Sequence, residues 1–253
     1  MKIAAAGAVL LASLVAAPAF AADLPVKAPP YQPQPVFTPT WTGFYIGGQV
    51  GYAHADWGNS PLFADLPFYT PFADGVAVGK ASGDGITGGG HVGYNYQVAS
   101  WVFGVEADFN WAAAKNHSLT EVTAGPGLIF NTSRDLEYYG TVRGRLGYAA
   151  WTNTLLYVTG GWAYGKSNAA ITGFGAIGGP FVTGSSNTHN GWTVGAGVDY
   201  MITANWIVGA EYKHIDLGSE TYTYIFPILG GTPVTGTSDL KIDEVTARVA
   251  YKF

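Results

Sequence analysis

Trp101-Val102-Phe103-Gly104-Val105-Glu106-Ala107-Asp108-Phe109-Asn110-Trp111 is the stretch on which the fold turns. Its odd positions (Trp101, Phe103, Val105, Ala107, Phe109, Trp111) are all apolar, while the even ones carry Gly104, Glu106, Asp108 and Asn110 beside Val102. Successive side chains of a strand point to opposite faces, so this period of two sets an apolar face against one bearing two carboxylates. A helix would mix the two sets. Trp101 and Trp111 share a face ten residues apart, about 33 Å along a strand. A tilt of about 40° reduces that to about 25 Å along a membrane normal, the height of the apolar band on an outer-membrane barrel.

The alternation recurs on either side. In 44–54, Phe44, Ile46, Gly48, Val50 and Tyr52 oppose Tyr45, Gly47, Gln49 and Gly51. In 135–149, Leu136, Tyr138, Val142, Leu146 and Tyr148 oppose Glu137, Tyr139, Thr141, Arg143 and Arg145. The last stretch sets Val245, Ala247, Val249, Tyr251 and Phe253 against Glu244, Thr246, Arg248 and Lys252. Weaker versions at 85–97, 154–165, 190–201 and 206–217 bring the total to eight strands. These are longer than the usual strand of about 5–6 residues. The connections alternate: long at 55–84, 112–134, 166–189 and 218–242, short at 98–100, 150–153 and 202–205. The expectation is an all-β, eight-stranded antiparallel transmembrane β-barrel with four long external loops and three short periplasmic turns.

Composition excludes several other classes. Of 253 residues, 48% are hydrophobic and only 11% charged, too apolar for a disordered chain. There is no Cys, hence no disulfide framework, zinc–thiolate site or cysteine nucleophile. A net charge of −5, spread along the chain, offers no basic footprint for nucleic acid.

The chain opens with Lys2, an apolar run Ile3 to Val15, then Pro18 and Ala19-Phe20-Ala21. A cationic start, a short apolar middle and an A-x-A site describe a secretory signal peptide over 1–21. Residues 22–40 hold Pro25, Pro29, Pro30, Pro33, Pro35 and Pro39, which favour a solvated polyproline tether in the periplasm. The barrel is expected over 41–253.

A soluble eight-stranded barrel would show the same alternation with its apolar face inside. The exported start and the aromatic spacing, which suits rings at two membrane interfaces, favour the membrane barrel. So does the final strand, whose outward Val249, Tyr251 and terminal Phe253 look like the signal read by outer-membrane assembly machinery. Further segments carry a family resemblance. These are Ala22-Asp23-Leu24-Pro25-Val26-Lys27-Ala28-Pro29, Trp41-Thr42-Gly43-Phe44-Tyr45-Ile46-Gly47-Gly48, Tyr157-Val158-Thr159-Gly160-Gly161, Gly191-Trp192-Thr193-Val194-Gly195-Ala196-Gly197-Val198 and Glu211-Tyr212. Together they are similar to the alphaproteobacterial outer-membrane β-barrel family, whose members are called outer-membrane immunogenic or porin-family proteins. The resemblance implies an OmpA-type barrel in the cell outer membrane, displayed at the surface, with no catalytic residues to carry over.

The lumen-facing charges are the candidate site. Parity turns Glu106, Asp108, Glu137, Asp199, Glu211 and Glu244 inward, together with Arg143, Arg145, Lys213, Arg248 and Lys252. An eight-stranded barrel has an interior just wide enough for side chains. Charges there must pair or pay heavily for lost water. Counted from the short-turn end, Glu106 matches Arg143 and Glu211 matches Arg248. Other chemistry is thin. Gly83-Asp84-Gly85-Ile86-Thr87-Gly88 formally fits a dinucleotide fingerprint but opens a strand where that motif needs a helix. The histidines (His54, His91, His117, His189, His214) have no metal-ligand spacing, so no metal and no cofactor is expected.

Three functions compete. The favoured one is a non-enzymatic barrel that supports the envelope and displays loops, its lumen plugged by paired charges. A small, low-conductance channel is the alternative. A lipid-modifying enzyme would need a Ser/His/acid group near the outer rim, where Ser185, Ser186 and His189 lie. The expected partners are outer-membrane lipid, lipopolysaccharide and the assembly machinery; any host or surface ligand of the loops is undecodable.

Overall fold

The computed structural model describes residues 40–58, 60–62, 76–78, 81–112, 115–116, 122–123, 128–175, 179–226 and 232–253. The expected signal peptide, and all of the Pro-rich segment but Thr40, lie outside the described residues. Eight long strands dominate: β1 Gly43–Trp57, β2 Ala81–Val98, β3 Trp101–Ala112, β4 Leu128–Trp151, β5 Thr154–Gly175, β6 Gly179–Met201, β7 Trp206–Phe226 and β8 Thr232–Lys252. Each pairs antiparallel with its chain neighbours, and β1 pairs with β8, so the ring closes without an edge. Short extra pairings involve Ser60–Leu62 with Val76–Val78, and Lys115–Asn116 and Val122–Thr123 with β4.

The turns at one end are short, as expected. Val98 faces Trp101 across Ala99 and Ser100, and Trp151 faces Thr154 across Thr152 and Asn153. Ala99 takes a left-handed φ of 53°, the hairpin geometry that glycine usually supplies. The outward faces carry the apolar residues. Phe44, Tyr96, Trp101, Tyr148, Trp206, Tyr251 and Phe253 ring the short-turn end, all exposed. Tyr52, Trp111, Trp162, Trp192 and Tyr212 ring the other end, with Val50, Val92, Val105, Val142, Val158 and Val194 between. These two girdles bound the membrane-spanning part. Residues beyond the second girdle project outside.

The projecting part differs from the sequence reading. Segments read as loops at 166–189 and 218–242 are mostly strand. The β5–β6 ladder continues up to Gly175 opposite Gly179, and the β7–β8 ladder up to Phe226 opposite Thr232. The loop read at 112–134 is shortened as well, since β4 begins at Leu128. These stretches are rich in Thr, Ser and Gly, which resemble loop on composition. Out of the membrane, however, an outer strand face has no need of apolar residues, so the alternation that marks a spanning strand fades while the ladder persists.

A second difference lies in β4. The register slips between Leu136 and Tyr138 where they meet β5, a β-bulge. Below it, Tyr139, Thr141, Arg143 and Arg145 face inward by the expected parity. Above it the parity inverts. Leu136 is buried inside the barrel, and Glu137 faces out, exposed, with Lys166 Nζ 2.9 Å from its Oε2. Glu137 therefore does not belong to the lumen set.

Candidate functional site

The lumen is built in layers. At the short-turn end, Trp41, Tyr45, Val102, Leu155, Tyr157, Met201, Ile207 and Ala250 form one apolar cluster. Towards the outer end, Ala53, Ala55, Trp57, Leu136, Tyr139, Ala163, Ile215, Leu217, Leu240 and Ile242 form another. The inward charges other than Lys252 and Arg134 lie between them. Of the charges read as inward, five acids (Glu106, Asp108, Asp199, Glu211, Glu244) and five bases (Arg143, Arg145, Lys213, Arg248, Lys252) are buried, and so is Arg134, which donates to Ser238 at 2.8 Å.

At the centre is a closed cycle of alternating charge. Arg143 donates to Glu106 Oε1 at 2.6 Å and to Glu211 Oε1 at 2.5 Å. Arg248 donates to Glu106 Oε2 at 2.5 Å and to Glu211 Oε2 at 2.6 Å. Each carboxylate thus holds two guanidiniums and each guanidinium two carboxylates, from strands β3, β4, β7 and β8. The two pairs matched from sequence are real contacts, but they form one unit rather than two. Arginine suits this role because its planar fork can serve two acids at once.

Branches complete the layer. Asp108 accepts from Arg143 at 3.0 Å, from Thr141 at 2.6 Å and from Asn110 at 2.7 Å. Asn110 in turn accepts from Gln49 at 2.6 Å. Lys213 Nζ lies 2.8 Å from Glu244, which accepts from Thr87 at 2.5 Å. Arg145 pairs with Asp199 and lies 3.6 Å from the centroid of the Tyr157 ring. Lys252 stands apart at the short-turn mouth, where Nζ donates to the Thr40 carbonyl.

Two glycines let aromatic rings reach this network. Tyr45 lies beside Gly93 on β2 and Tyr157 beside Gly197 on β6, in direct register. A Cβ on either glycine would enter the ring, and would meet a backbone carbonyl at 2.7 Å (Val105 and Ala210, respectively). With the rings so placed, Tyr45 donates to Glu106 at 2.7 Å and Arg248 donates to Tyr157 at 3.1 Å. Sequence parity placed Tyr45 on the inward face without revealing this partnership.

The outer rim does not assemble the Ser185/Ser186/His189 group. Ser186 is exposed, whereas His189 is buried and meets Ser167 Oγ at 2.9 Å and Tyr222 OH at 2.8 Å. Ser167 and Tyr222 also meet each other, at 2.7 Å. Burial holds the His189 imidazole below the usual histidine range and pushes the Tyr222 phenol up. All three point inward above the outer apolar cluster. Trp41 and Trp57 are among the inward residues that sequence reasoning missed, as is Arg134. Each tryptophan stands at a strand end, where parity has few neighbours to count.

At the C-terminal strand, Val249, Tyr251 and Phe253 point out to lipid as expected. Tyr251 packs edge-on against both Trp206 and Phe253.

The outer membrane protein beta-barrel domain model matches residues 7–253. The chain belongs to the outer-membrane protein β-barrel family. It is similar to the 31 kDa outer-membrane immunogenic protein of Brucella melitensis, 36% identical over 83% of this chain and 85% of that one. It is also similar to a 22 kDa outer membrane protein of Rhizobium leguminosarum, 30% identical over 72% of this chain and 67% of that one. Among solved structures it is similar to the outer membrane protein OprG from Pseudomonas aeruginosa, at 15% identity and a TM-score of 0.46, over 85% of this chain and 98% of that one. The protein is an outer-membrane β-barrel.

Proposed function

We propose that this outer-membrane barrel is a closed, non-enzymatic scaffold that supports the envelope and displays its hairpins outside. The observation that carries this is the three-layer lumen. An ion following the axis would have to break the Glu106–Arg143–Glu211–Arg248 cycle and also pass an apolar cluster on either side of it. Opening the cycle alone would leave both clusters in place. The long β5–β6 and β7–β8 hairpins supply the displayed surface, and the name of the Brucella relative accords with exposure of such a surface. Outer-membrane lipid and lipopolysaccharide are the proposed surroundings of the apolar band. The assembly machinery is the proposed reader of Val249, Tyr251 and Phe253. The signal peptide at 1–21 and the periplasmic tether at 22–40 are proposed on the same sequence grounds as above.

Flux through proteoliposomes tests this reading. Wild-type vesicles should pass neither small ions nor small sugars. Trp41→Ala and Trp57→Ala combined with Arg143→Met and Arg248→Met, which open both apolar clusters and the charge layer, should begin to leak ions. Ion flux through wild type at the level of this quadruple variant would reject the closed lumen.

A further inference from the structure

Just above the outer girdle, outward-facing residues of four neighbouring strands fall into one row. Asp84 on β2 is in register with His54 on β1, His54 with Asp243 on β8, and Asp243 with His214 on β7. The row alternates acid and imidazole, and it crosses the seam where the first and last strands close the barrel. His54 Nδ1 lies 2.7 Å from Asp84 Oδ1, and its Nε2 lies 3.4 Å from Asp56 Oδ1. On the far side of the seam, between β7 and β8, His214 Nδ1 lies 2.8 Å from Asp243 Oδ1, which also accepts from Tyr212 OH at 2.6 Å. The other groups facing the row are Ser82 on β2, Lys241 on β8, Asp216 on β7, whose Oδ2 lies 3.5 Å from Lys241 Nζ, and the Trp192 ring on β6, which packs against His214.

A neutral imidazole carries one N–H, and its other nitrogen only accepts. His54 has a carboxylate oxygen at each nitrogen, an arrangement that only the doubly protonated ring can serve at both. We propose that the Asp84–His54–Asp243–His214 row is a proton-operated latch that tightens the β1–β8 seam when the outside medium turns mildly acidic. In the protonated state the row reads minus, plus, minus, plus across four strands. In the neutral state Asp56, Asp84 and Asp243 face each other around the seam with Lys241 as the lone fixed cation among the groups named.

The sign is set by His54. The hydrogen bond to Asp84, then the charges of Asp56 and Asp84, hold its imidazole above the usual histidine range. A raised histidine contributes stability that is present below the unfolded value of about 6.5 and is lost as pH rises through the folded value. Asp243 has the opposite sign but acts at lower pH: partial burial works against its ionised form, but Tyr212 and His214 hold it below the usual carboxylate range, so its contribution is lost only as pH falls through that range. It stays charged through the window in which His54 titrates.

The test is urea unfolding of the refolded protein in lipid vesicles at about pH 8 and about pH 5.5, for wild type and His54→Gln. Going to the lower pH should reduce the wild-type unfolding constant relative to the variant by about 1.4- to 5-fold, the range expected for exposed ion pairs. His91 and His189 are common to both proteins and cancel in the ratio. NMR titration of the His54 ring in micelles gives a second reading. Asp84→Asn should lower its titration midpoint. A pH response identical in wild type and His54→Gln, or a His54 midpoint unmoved by Asp84→Asn, would overturn the latch.

Discussion

Removing members of the central cycle in opposite-sign and same-sign combinations separates an electrostatic unit from mere filler. Arg248→Met deletes contacts to Glu106 at 2.5 Å, Glu211 at 2.6 Å and Tyr157 at 3.1 Å. Glu106, Asp108 and Glu211 would then depend on Arg143, with Arg145 3.7 Å from Glu106 and Lys213 3.9 Å from Asp108. Stranding buried charge in this way costs about 3–5 kcal/mol. Glu211→Gln should cost a similar amount by leaving Arg143 and Arg248 to share Glu106. The double variant Glu211→Gln/Arg248→Met removes one charge of each sign and leaves Glu106 with Arg143 at 2.6 Å, so its loss should fall well below the sum of the singles. Arg143→Met/Arg248→Met is the contrast. It leaves Glu106 and Glu211 without a guanidinium from the cycle, and its loss should equal or exceed the sum. Urea unfolding in vesicles, followed by tryptophan fluorescence, reads these four variants and Arg143→Met alone against wild type. Equal additivity in the two double variants would refute the cycle as an energetic unit.

Other expectations follow from the same structure. Deleting Phe253 should lower the heat-modifiable, membrane-integrated fraction while leaving export intact, as assayed by fractionation and unboiled gels. Val105→Arg, which places charge midway between the girdles, should cost about 2–4 kcal/mol in vesicle unfolding, and Val105→Leu almost nothing. Because burial holds His189 below the usual histidine range, its contribution is present above the unfolded value of about 6.5 and is lost as pH falls below it. His189→Gln should therefore flatten the acid side of the stability profile, opposite in sign to His54. With no native Cys, a cysteine introduced at Ser186 should react with an impermeant maleimide on intact cells, while one at Thr203 in a short turn should not.

Most of the barrel was legible because lipid outside and a packed lumen inside force a period of two on every spanning strand. The same rule picked out ten of the inward charges correctly and failed at Glu137, where one extra residue in β4 inverts the parity. A bulge leaves no mark in composition, so only the pairing with β5 reveals it. The β5–β6 and β7–β8 projections were read as loops because Thr, Ser and Gly outside the membrane carry no apolar stripe. That Glu106, Arg143, Glu211 and Arg248 meet in one cycle was also beyond reach. Matching heights on adjacent strands gives pairs, whereas β4 meeting β7 across the lumen depends on the shear of the closed ring.

Single-channel recording on purified, refolded wild-type protein in a planar bilayer tests the closed lumen most directly. Two apolar clusters with an ion-paired charge layer between them predict a silent membrane, without steady openings at any moderate voltage. Reproducible, steady conductance that scales with inserted protein would contradict the account and make this barrel a channel.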